Sequence, residues 1–263
     1  MTPQDKEELR KLEADRINLR SEAEAPFRSL RLVFYGFSVA SAGVAFLISI
    51  PQLIGATAGA PGALQTGQVL QNIGINLGAV ALFAWLFSQD WKARDKQMAR
   101  LAREEALAGL PLQLANGKRL RVGALQGASR VVIAAGTQQQ VSEALAAAEP
   151  YREQLERRGV LVVPLPVYGG DAADAMPAPG RDELRWRAQP LQPASWREWF
   201  DAQLALAPNA VPERGLYVGL RLDGRVRASG MGQPPWARFA VELAPLEGEG
   251  KWTGFMDGFD GKV

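Results

Sequence analysis

The chain contains neither cysteine nor histidine. The lack of cysteine excludes disulfide bonds, thiol redox chemistry and a cysteine nucleophile, and the lack of histidine excludes a Ser-His-Asp triad. Metal sites built on either residue are excluded as well. No GxxxxGK[ST] or GxGxxG motif occurs, so the sequence indicates no phosphate-binding loop. We therefore expect no cofactor and no metal, and only chemistry based on carboxylates stays open.

Charge is missing from one long stretch, Leu32 to Gln89. These 58 consecutive residues hold no Asp, Glu, Lys or Arg, although 22% of the whole chain is charged. About 20 apolar helical residues cross the hydrocarbon core of a bilayer. Two segments reach that length, at about residues 32–54 and 69–87, and a Gly/Ala/Pro linker separates them. The pattern predicts a transmembrane hairpin within residues 26–91.

Two other interpretations of the charge-free stretch were weighed. A helix that is apolar all round can also lie in the core of a large soluble protein. The rest of this chain is too polar to enclose two such helices. A secretory signal peptide begins with a short basic region, whereas about thirty residues rich in both charges precede the first segment here. The membrane interpretation is therefore favoured.

Basic residues flank the predicted hairpin on one side of the membrane. Arg28 and Arg31 precede the first helix, and the basic collar follows the second; it consists of Lys92, Arg94, Lys96, Arg100 and Arg103. By the positive-inside rule both termini face the cytoplasm or, in a plastid, the stroma. The same collar suits anionic lipid. Because no nucleic-acid motif accompanies it, we expect no nucleic-acid partner.

The remaining chain divides into four regions. Residues 1–25 are predicted to form an amphipathic helix that ends before Pro26. Residues 92–129 should form a basic helical connector and a short hairpin around Asn116-Gly117. Residues 130–243 form the main soluble domain, and residues 244–263 are an aromatic and acidic tail. We favour a tail that folds back on its own domain, and docking of its aromatic side chains on a partner stays open.

The soluble domain has the element order β-α-β-α-β-β-α, which resembles the thioredoxin-like fold. This makes the chain an α/β protein with a two-helix membrane hairpin in front of a thioredoxin-like domain. Thioredoxins carry Cys-x-x-Cys after the first strand, where this chain has Gly136, Thr137, Gln138 and Gln139. Pro212 lies near the position of the family's cis-proline. The resemblance thus implies a fold without its redox activity, and we expect no enzyme.

The entry to the first membrane helix, residues 24–31 (EAPFRSLR), continues as FYGFSVASAGVAFLI. This segment resembles the membrane segment of the low photosystem II accumulation family of cyanobacteria and plastids. The resemblance implies a thylakoid protein that acts in assembly or repair of photosystem II. Plant members carry tetratricopeptide repeats before the hairpin, and this chain has none. Photosystem I or another thylakoid complex therefore stays open as the client.

The resemblance implies photosystem subunits or assembly intermediates as partners, together with membrane lipid. It leaves open whether the chain forms a homodimer. Small-residue pairs in the hairpin allow close helix approach, and basic and aromatic residues add contact groups. The candidate partner contacts are Phe27, Arg28, Arg31, Ser38, Ala42, Gly74, Gly78, Lys92, Arg94, Lys96, Trp186, Trp252 and Phe255.

Two functions of other classes were considered. The loop expected at residues 169–190 contains Asp171, Asp174, Asp182 and Arg181, which could serve a carboxylate-dependent enzyme or a small-molecule sensor. A solvated surface loop explains the same residues more simply. A transporter subunit is disfavoured because the predicted spans contain no ionisable residue. A membrane-anchored assembly factor is the function that the sequence favours.

Overall fold

The computed structural model describes residue 15 and residues 17–21, 23–169, 176–207, 211 and 214–246. The chain divides into two compact units, Met1–Ala102 and Arg103–Val263. The boundary lies near the end of a long helix, so the second unit begins well before residue 130.

The first unit is a helical hairpin. Residues 17–21 and 23–24 are helical, and the chain then turns at residues 25–27. Phe27 adopts a left-handed backbone conformation with φ of 67°, and helix α1 follows as Arg28–Thr57. Helix α2 spans Thr66–Ala108 without interruption. The predicted break at Pro26 is confirmed, and the helical connector predicted after residue 91 is a direct continuation of α2.

The contacts between α1 and α2 show that the two helices are antiparallel. Arg31 Nε lies 3.0 Å from Asp90 Oδ2, and the rings of Phe34 and Phe83 are 5.9 Å apart. At the other end, the Thr66 hydroxyl donates to the carbonyl of Ala56 at 3.5 Å. Both helices are long and apolar enough to cross a membrane, and only 6% of each apolar window is buried. A core helix would be mostly buried, so the soluble-core interpretation is not supported.

The second unit opens with a small antiparallel sheet. Its strands are β1 (Pro111–Leu114), β2 (Arg119–Arg121) and β5 (Ala188–Pro190), in the order β2-β1-β5. Asn116 and Gly117 form the predicted turn: the Asn116 side chain accepts from Lys118 N at 3.0 Å, and Gly117 has a φ of 83°. The predicted hairpin is confirmed, while its third strand was not predicted.

The main sheet has the order β4-β3-β6-β7. Strands β3 and β4 are parallel, and β6 and β7 continue the sheet in antiparallel pairs. The strands are β3 (Arg130–Gly136), β4 (Val160–Pro166), β6 (Leu216–Leu220) and β7 (Val226–Met231). The helices are α3 (Gln138–Ala148), α4 (Arg152–Arg157), α5 (Pro193–Leu204) and α6 (Trp236–Glu242). This topology confirms the predicted thioredoxin-like arrangement.

Every residue of β3 is buried, because apolar side chains cover both faces of the sheet. One cluster surrounds Ile133 and includes Trp196 and Phe200 of α5. The other surrounds Val132 and includes Trp236 and Phe239 of α6. Leu107 and Leu112 belong to the first cluster. The region expected to be a connector therefore supplies part of the core of the second unit.

The single surface loop expected at residues 169–190 is wrong in its second half. A 3-10 turn forms at Arg181–Glu183, and β5 follows at Ala188–Pro190. Between them, Trp186 O accepts a hydrogen bond from Val162 N at 2.8 Å. The prediction failed because strand β5 is only three residues long and is held by pairing with a distant strand.

Candidate functional site

The outer face of α2 carries two glycines that are open to a partner. Gly74 and Gly78 are exposed, and a Cβ added to either would meet no heavy atom within 4 Å. The small-residue pair of α1 is different, because Ser38 and Ala42 are half-buried. The Ser38 hydroxyl donates to Phe34 O at 2.8 Å. The two predicted small-residue pairs therefore do not pack on each other.

Aromatic side chains fill the space between α1 and α2 instead. Phe83 lies 5.9 Å from Phe34 and 6.3 Å from Tyr35, measured between ring centroids. A Cβ at Gly36 would lie 3.9 Å from the ring of Phe87. Because rings rather than glycines mediate this contact, the glycine face of α2 is left for another helix.

The charged end of the hairpin is tied together by side chains from both helices. Arg31 donates to Asp90 at 3.0 and 3.4 Å. Arg28 donates to the side-chain oxygen of Gln97. Sequence reasoning named Arg28 and Arg31 but missed these polar partners. The antiparallel hairpin itself predicts such pairs, because residues just before the first span then lie next to residues just after the second span.

Glu24 adds a third connection at this end. Its Oε2 accepts from Gln97 Nε2 at 3.1 Å and also from Arg100. Gln97 Nε2 further contacts Ser21 O at 3.3 Å. Hydrogen bonds therefore hold the residues that precede α1 against the charged part of α2. Glu24 is a functional candidate that the sequence analysis did not name.

The predicted collar residues differ in exposure. Lys92 and Lys96 are exposed, whereas Arg94 is half-buried and lies over the ring of Trp91, 5.3 Å from its centroid. Phe27, immediately before α1, is 73% exposed. Lys96 and Phe27 are therefore exposed at the charged end of the hairpin, where an aromatic and basic membrane interface would place such residues.

Trp186 is not available as a partner contact, which corrects the prediction. It is only 2% exposed, and it packs in the cluster that contains Trp236 and Phe239. The guanidinium of Arg152 lies 5.7 Å from its ring centroid. Trp186 was misplaced because the loop containing it was taken to be solvated. Trp252 and Phe255 lie outside the described residues.

The position of the thioredoxin catalytic motif is used here for helix capping. Thr137 Oγ1 accepts from Gln140 N at 3.3 Å, and Gln140 Oε1 accepts from Thr137 N at 2.9 Å. This reciprocal pair is a capping box at the start of α3. A groove of about 160 Å³ lies beside it, with Glu143 and Arg214 among its lining residues. The groove holds no cysteine, since the chain has none.

Within the described part of the chain, the acidic and basic residues named for the enzyme alternative do not come together in a cluster. Asp171 and Asp174 lie outside that part. Arg181 and Asp182 are exposed in the 3-10 turn, and the Asp182 carbonyl accepts from Arg152 at 3.2 Å. Among the described residues no group of three or more acidic side chains could hold a metal ion.

One tyrosine of the soluble domain has a perturbed acidity. Tyr168 donates from its hydroxyl to Asp201 Oδ1 at 2.9 Å. Burial, this hydrogen bond and the charge of Asp201 raise the pKa of Tyr168 far above its ordinary value, while the charge of Arg197 opposes the rise. The tyrosine is therefore a neutral hydrogen-bond donor at physiological pH. Its hydrogen bond to Asp201 connects the end of β4 to α5.

Comparison with solved structures gives distant likenesses to the soluble domain. A protein of Aquifex aeolicus VF5 described as an electron transfer protein matches 53% of this chain and 96% of its own length, at 12% identity and a TM-score of 0.35. The exposed lipoprotein thioredoxin of Streptococcus pneumoniae strain TIGR4 matches 48% of this chain and 91% of its own length, at 13% identity and a TM-score of 0.29. The thioredoxin-like fold is assigned here from strand order, not from these scores.

Comparison with protein families gives a match to the segment that contains the two apolar segments. Residues 13–91 match the family model described as Low psii accumulation1 / Rep27. The match includes the helix entry at residues 24–31 and both apolar segments, and it ends near the start of the basic collar. The membrane segment of this chain thus matches the Low psii accumulation1 / Rep27 family, and a cysteine-free thioredoxin-like domain follows it.

Proposed function

We propose that this chain is a thylakoid-anchored, non-enzymatic factor for assembly or repair of photosystem II, which holds newly made subunits in the membrane. The family matched by residues 13–91 carries low photosystem II accumulation in its description. Two helices long enough to cross a membrane support an anchor at the place where photosystem subunits are inserted. The family match supports a role in photosystem II assembly or repair. The geometry of the hairpin supports the binding of newly made subunits in the membrane.

The observation that carries the mode of action is the open glycine face of α2. Helices in lipid associate through close packing at small residues, because hydrocarbon gives no hydrophobic drive between them. An added Cβ at Gly74 or Gly78 meets nothing within 4 Å. Gln71 and Asn72 are exposed near the start of the same helix. A client helix would pack on the glycines and give those amides hydrogen-bond partners that lipid cannot provide.

The soluble domain acts as a surface in this proposal. Without cysteine it has no thiol chemistry, while its sheet and helices form an ordered scaffold. Tethering such a domain to the membrane raises its effective concentration near membrane clients. The groove beside α3 and other exposed surface of the domain are therefore candidate contacts for soluble segments of the same client.

Affinity capture with a pair of matched variants tests the proposal. Tagged protein, solubilised in a mild detergent, should recover photosystem II subunits in substoichiometric precursor complexes. The double variant Gly74→Leu/Gly78→Leu should reduce that recovery about tenfold or more, which corresponds to about 1.4 kcal/mol of lost binding. Its helix packing within the hairpin should persist, since the added side chains point into open space.

The control is Gly43→Leu on α1, where an added Cβ also meets nothing within 4 Å. It should leave the recovery of photosystem II subunits unchanged. Equal loss in the control and the double variant would refute the α2 face as the contact surface. Recovery of photosystem I subunits instead would assign another client, and recovery of no photosynthetic protein would refute the proposed function.

A further inference from the structure

A cationic pocket lies at the charged end of the hairpin, within the first unit. It encloses about 410 Å³ and opens widely to its surroundings. Its lining residues come from the segment before α1, from the first residue of α1 and from α2; they are Glu24, Arg28, Lys96, Gln97 and Arg100. Three of these side chains are cationic and one is anionic, so the pocket attracts anions.

Hydrogen bonds fix the shape of this pocket. Gln97 is central, because its side-chain oxygen accepts from Arg28 and its nitrogen donates to Glu24 Oε2 at 3.1 Å. Glu24 also accepts from Arg100. The Arg28 Nε–H is buried and has no acceptor among the described residues. The single carboxylate is therefore engaged in organising the pocket, while donor capacity on Arg28 and the charge of Lys96 are left for a ligand.

Neighbouring side chains place the pocket at the level of lipid headgroups. Phe27, next to Arg28, is 73% exposed, and Leu30 one turn later is 65% exposed. Exposed apolar groups at this level suit the boundary of the hydrocarbon. On α2, Trp91 is exposed before Lys96, as expected for the aromatic belt at a membrane interface. Arginine and lysine side chains just beyond such a belt reach the headgroups.

We propose that this pocket binds the anionic headgroup of a membrane lipid, with a phosphate diester or a sulfonate as the recognised group. The N–H groups of Arg28 that Gln97 does not occupy can donate to such an anion, and Lys96 and Arg100 add positive charge beside it. A bound headgroup would join the segment before α1 to α2 at the membrane surface. The lipid thereby fixes the orientation of the hairpin, independently of which client the protein serves.

Native mass spectrometry of the full chain tests this site. The protein is released from mixed micelles that contain equal amounts of phosphatidylcholine and phosphatidylglycerol, and the retained lipids are counted. Wild-type protein should retain phosphatidylglycerol preferentially. The variant Lys96→Gln/Arg100→Gln should lower that preference about tenfold or more, because both side chains line the pocket and supply two of its three positive charges.

The matched control is Lys92→Gln/Arg94→Gln, which removes the same charge from the same helix outside the pocket. It should change the preference by less than about twofold, because diffuse attraction alone is screened by salt. Arg100→Lys, which keeps the charge near Glu24, should retain part of the preference and guards against a folding defect. Equal losses in the two double variants, or no lipid preference in the wild type, would overturn the proposal.

A competition arm separates lipid from a free anion. Inorganic phosphate at millimolar concentration is added to the same micelles before release. Persistence of the phosphatidylglycerol preference supports a lipid site, since the acyl chains hold the headgroup at the interface. Displacement of the lipid by inorganic phosphate would assign the pocket to a soluble anion and overturn the lipid proposal.

Discussion

Thr137 stands in the loop where thioredoxins place their first catalytic cysteine, and its hydroxyl caps helix α3 through the reciprocal pair with Gln140. Thr137→Ala should lower the free energy of unfolding of this region by about 1 kcal/mol, because the amide of Gln140 loses its acceptor. Hydrogen–deuterium exchange of the α3 amides measures this directly. Thr137→Ser keeps the hydroxyl and should exchange like the wild type; equally fast exchange in both variants would contradict the capping role.

Tyr168 is the residue whose protonation responds most clearly to its surroundings. Burial and the hydrogen bond to Asp201 raise its pKa in the folded protein. A raised tyrosine pKa contributes stability that is complete below about pH 10, the ordinary tyrosine value, and is lost as the pH rises through the folded-state pKa. The contribution is therefore constant at physiological pH.

Ultraviolet difference titration should show one tyrosine that ionises well after ordinary tyrosines do. Tyr168→Phe should remove that late step, and Asp201→Asn should move it to lower pH because the negative charge is gone. A late step that survives in Tyr168→Phe would assign the raised pKa to another residue.

At the scale of elements, the segment after α6 is held by arginines of β3 and α4. Arg130 is 1% exposed and donates to Ala244 O at 3.1 Å and to Arg158 O. Arg158 Nε donates to Leu243 O at 2.8 Å, and Leu246 N donates to Arg157 O at 3.0 Å. These bonds hold residues 243–246 against β3 and the end of α4.

Arg130→Met should lower the free energy of unfolding of the soluble domain by about 2–4 kcal/mol, because buried carbonyls lose a charged donor. Arg238→Met is the control; it removes a half-exposed arginine that pairs with Glu242 along α6, and such pairs contribute at most about 1 kcal/mol. Chemical denaturation of the full chain in detergent, followed by the fluorescence of the buried tryptophans, gives both values. Similar losses in the two variants would show that the buried arginine has no special role.

Elements with a strong local signal were predicted from the sequence, and elements held by distant partners were not. The charge-free run predicted α1 and α2, and β-branched runs predicted β3 and β4. Strand β5 has the sequence Ala-Gln-Pro, and only its pairing with β1 makes it a strand. Trp186 lies two residues before β5. Its burial likewise depends on contacts with distant parts of the chain, which the local sequence pattern does not indicate.

The candidate site was predicted in part. Small residues at helical spacing predicted a face for close helix packing on each helix of the hairpin. Spacing alone could not show that Gly74 and Gly78 are open while Ser38 is half-buried. The basic collar was visible as charge. Its organisation around Gln97 was not, because a neutral amide has no signal in a charge pattern and gains its role only when two helices meet.

At the scale of the whole molecule, the account requires both termini on the cytoplasmic or stromal side of the membrane. The basic residues on both flanks favour this orientation, since the connecting residues 58–65 carry no charge. In sealed vesicles, protease on that side should digest the soluble domain. Protease on the opposite side should leave the domain intact. Digestion of the domain from the opposite side only would contradict the orientation.

The central claim is that the chain supports the accumulation of photosystem II, and its removal tests that claim most directly. The gene for the chain is deleted in its own organism, and the amounts of photosystem II and photosystem I per cell are compared with those in the parent strain. We expect the amount of photosystem II to fall severalfold while that of photosystem I is maintained, and reintroduced wild-type protein to restore photosystem II. An unchanged amount and synthesis rate of photosystem II in the deletion strain would contradict the account.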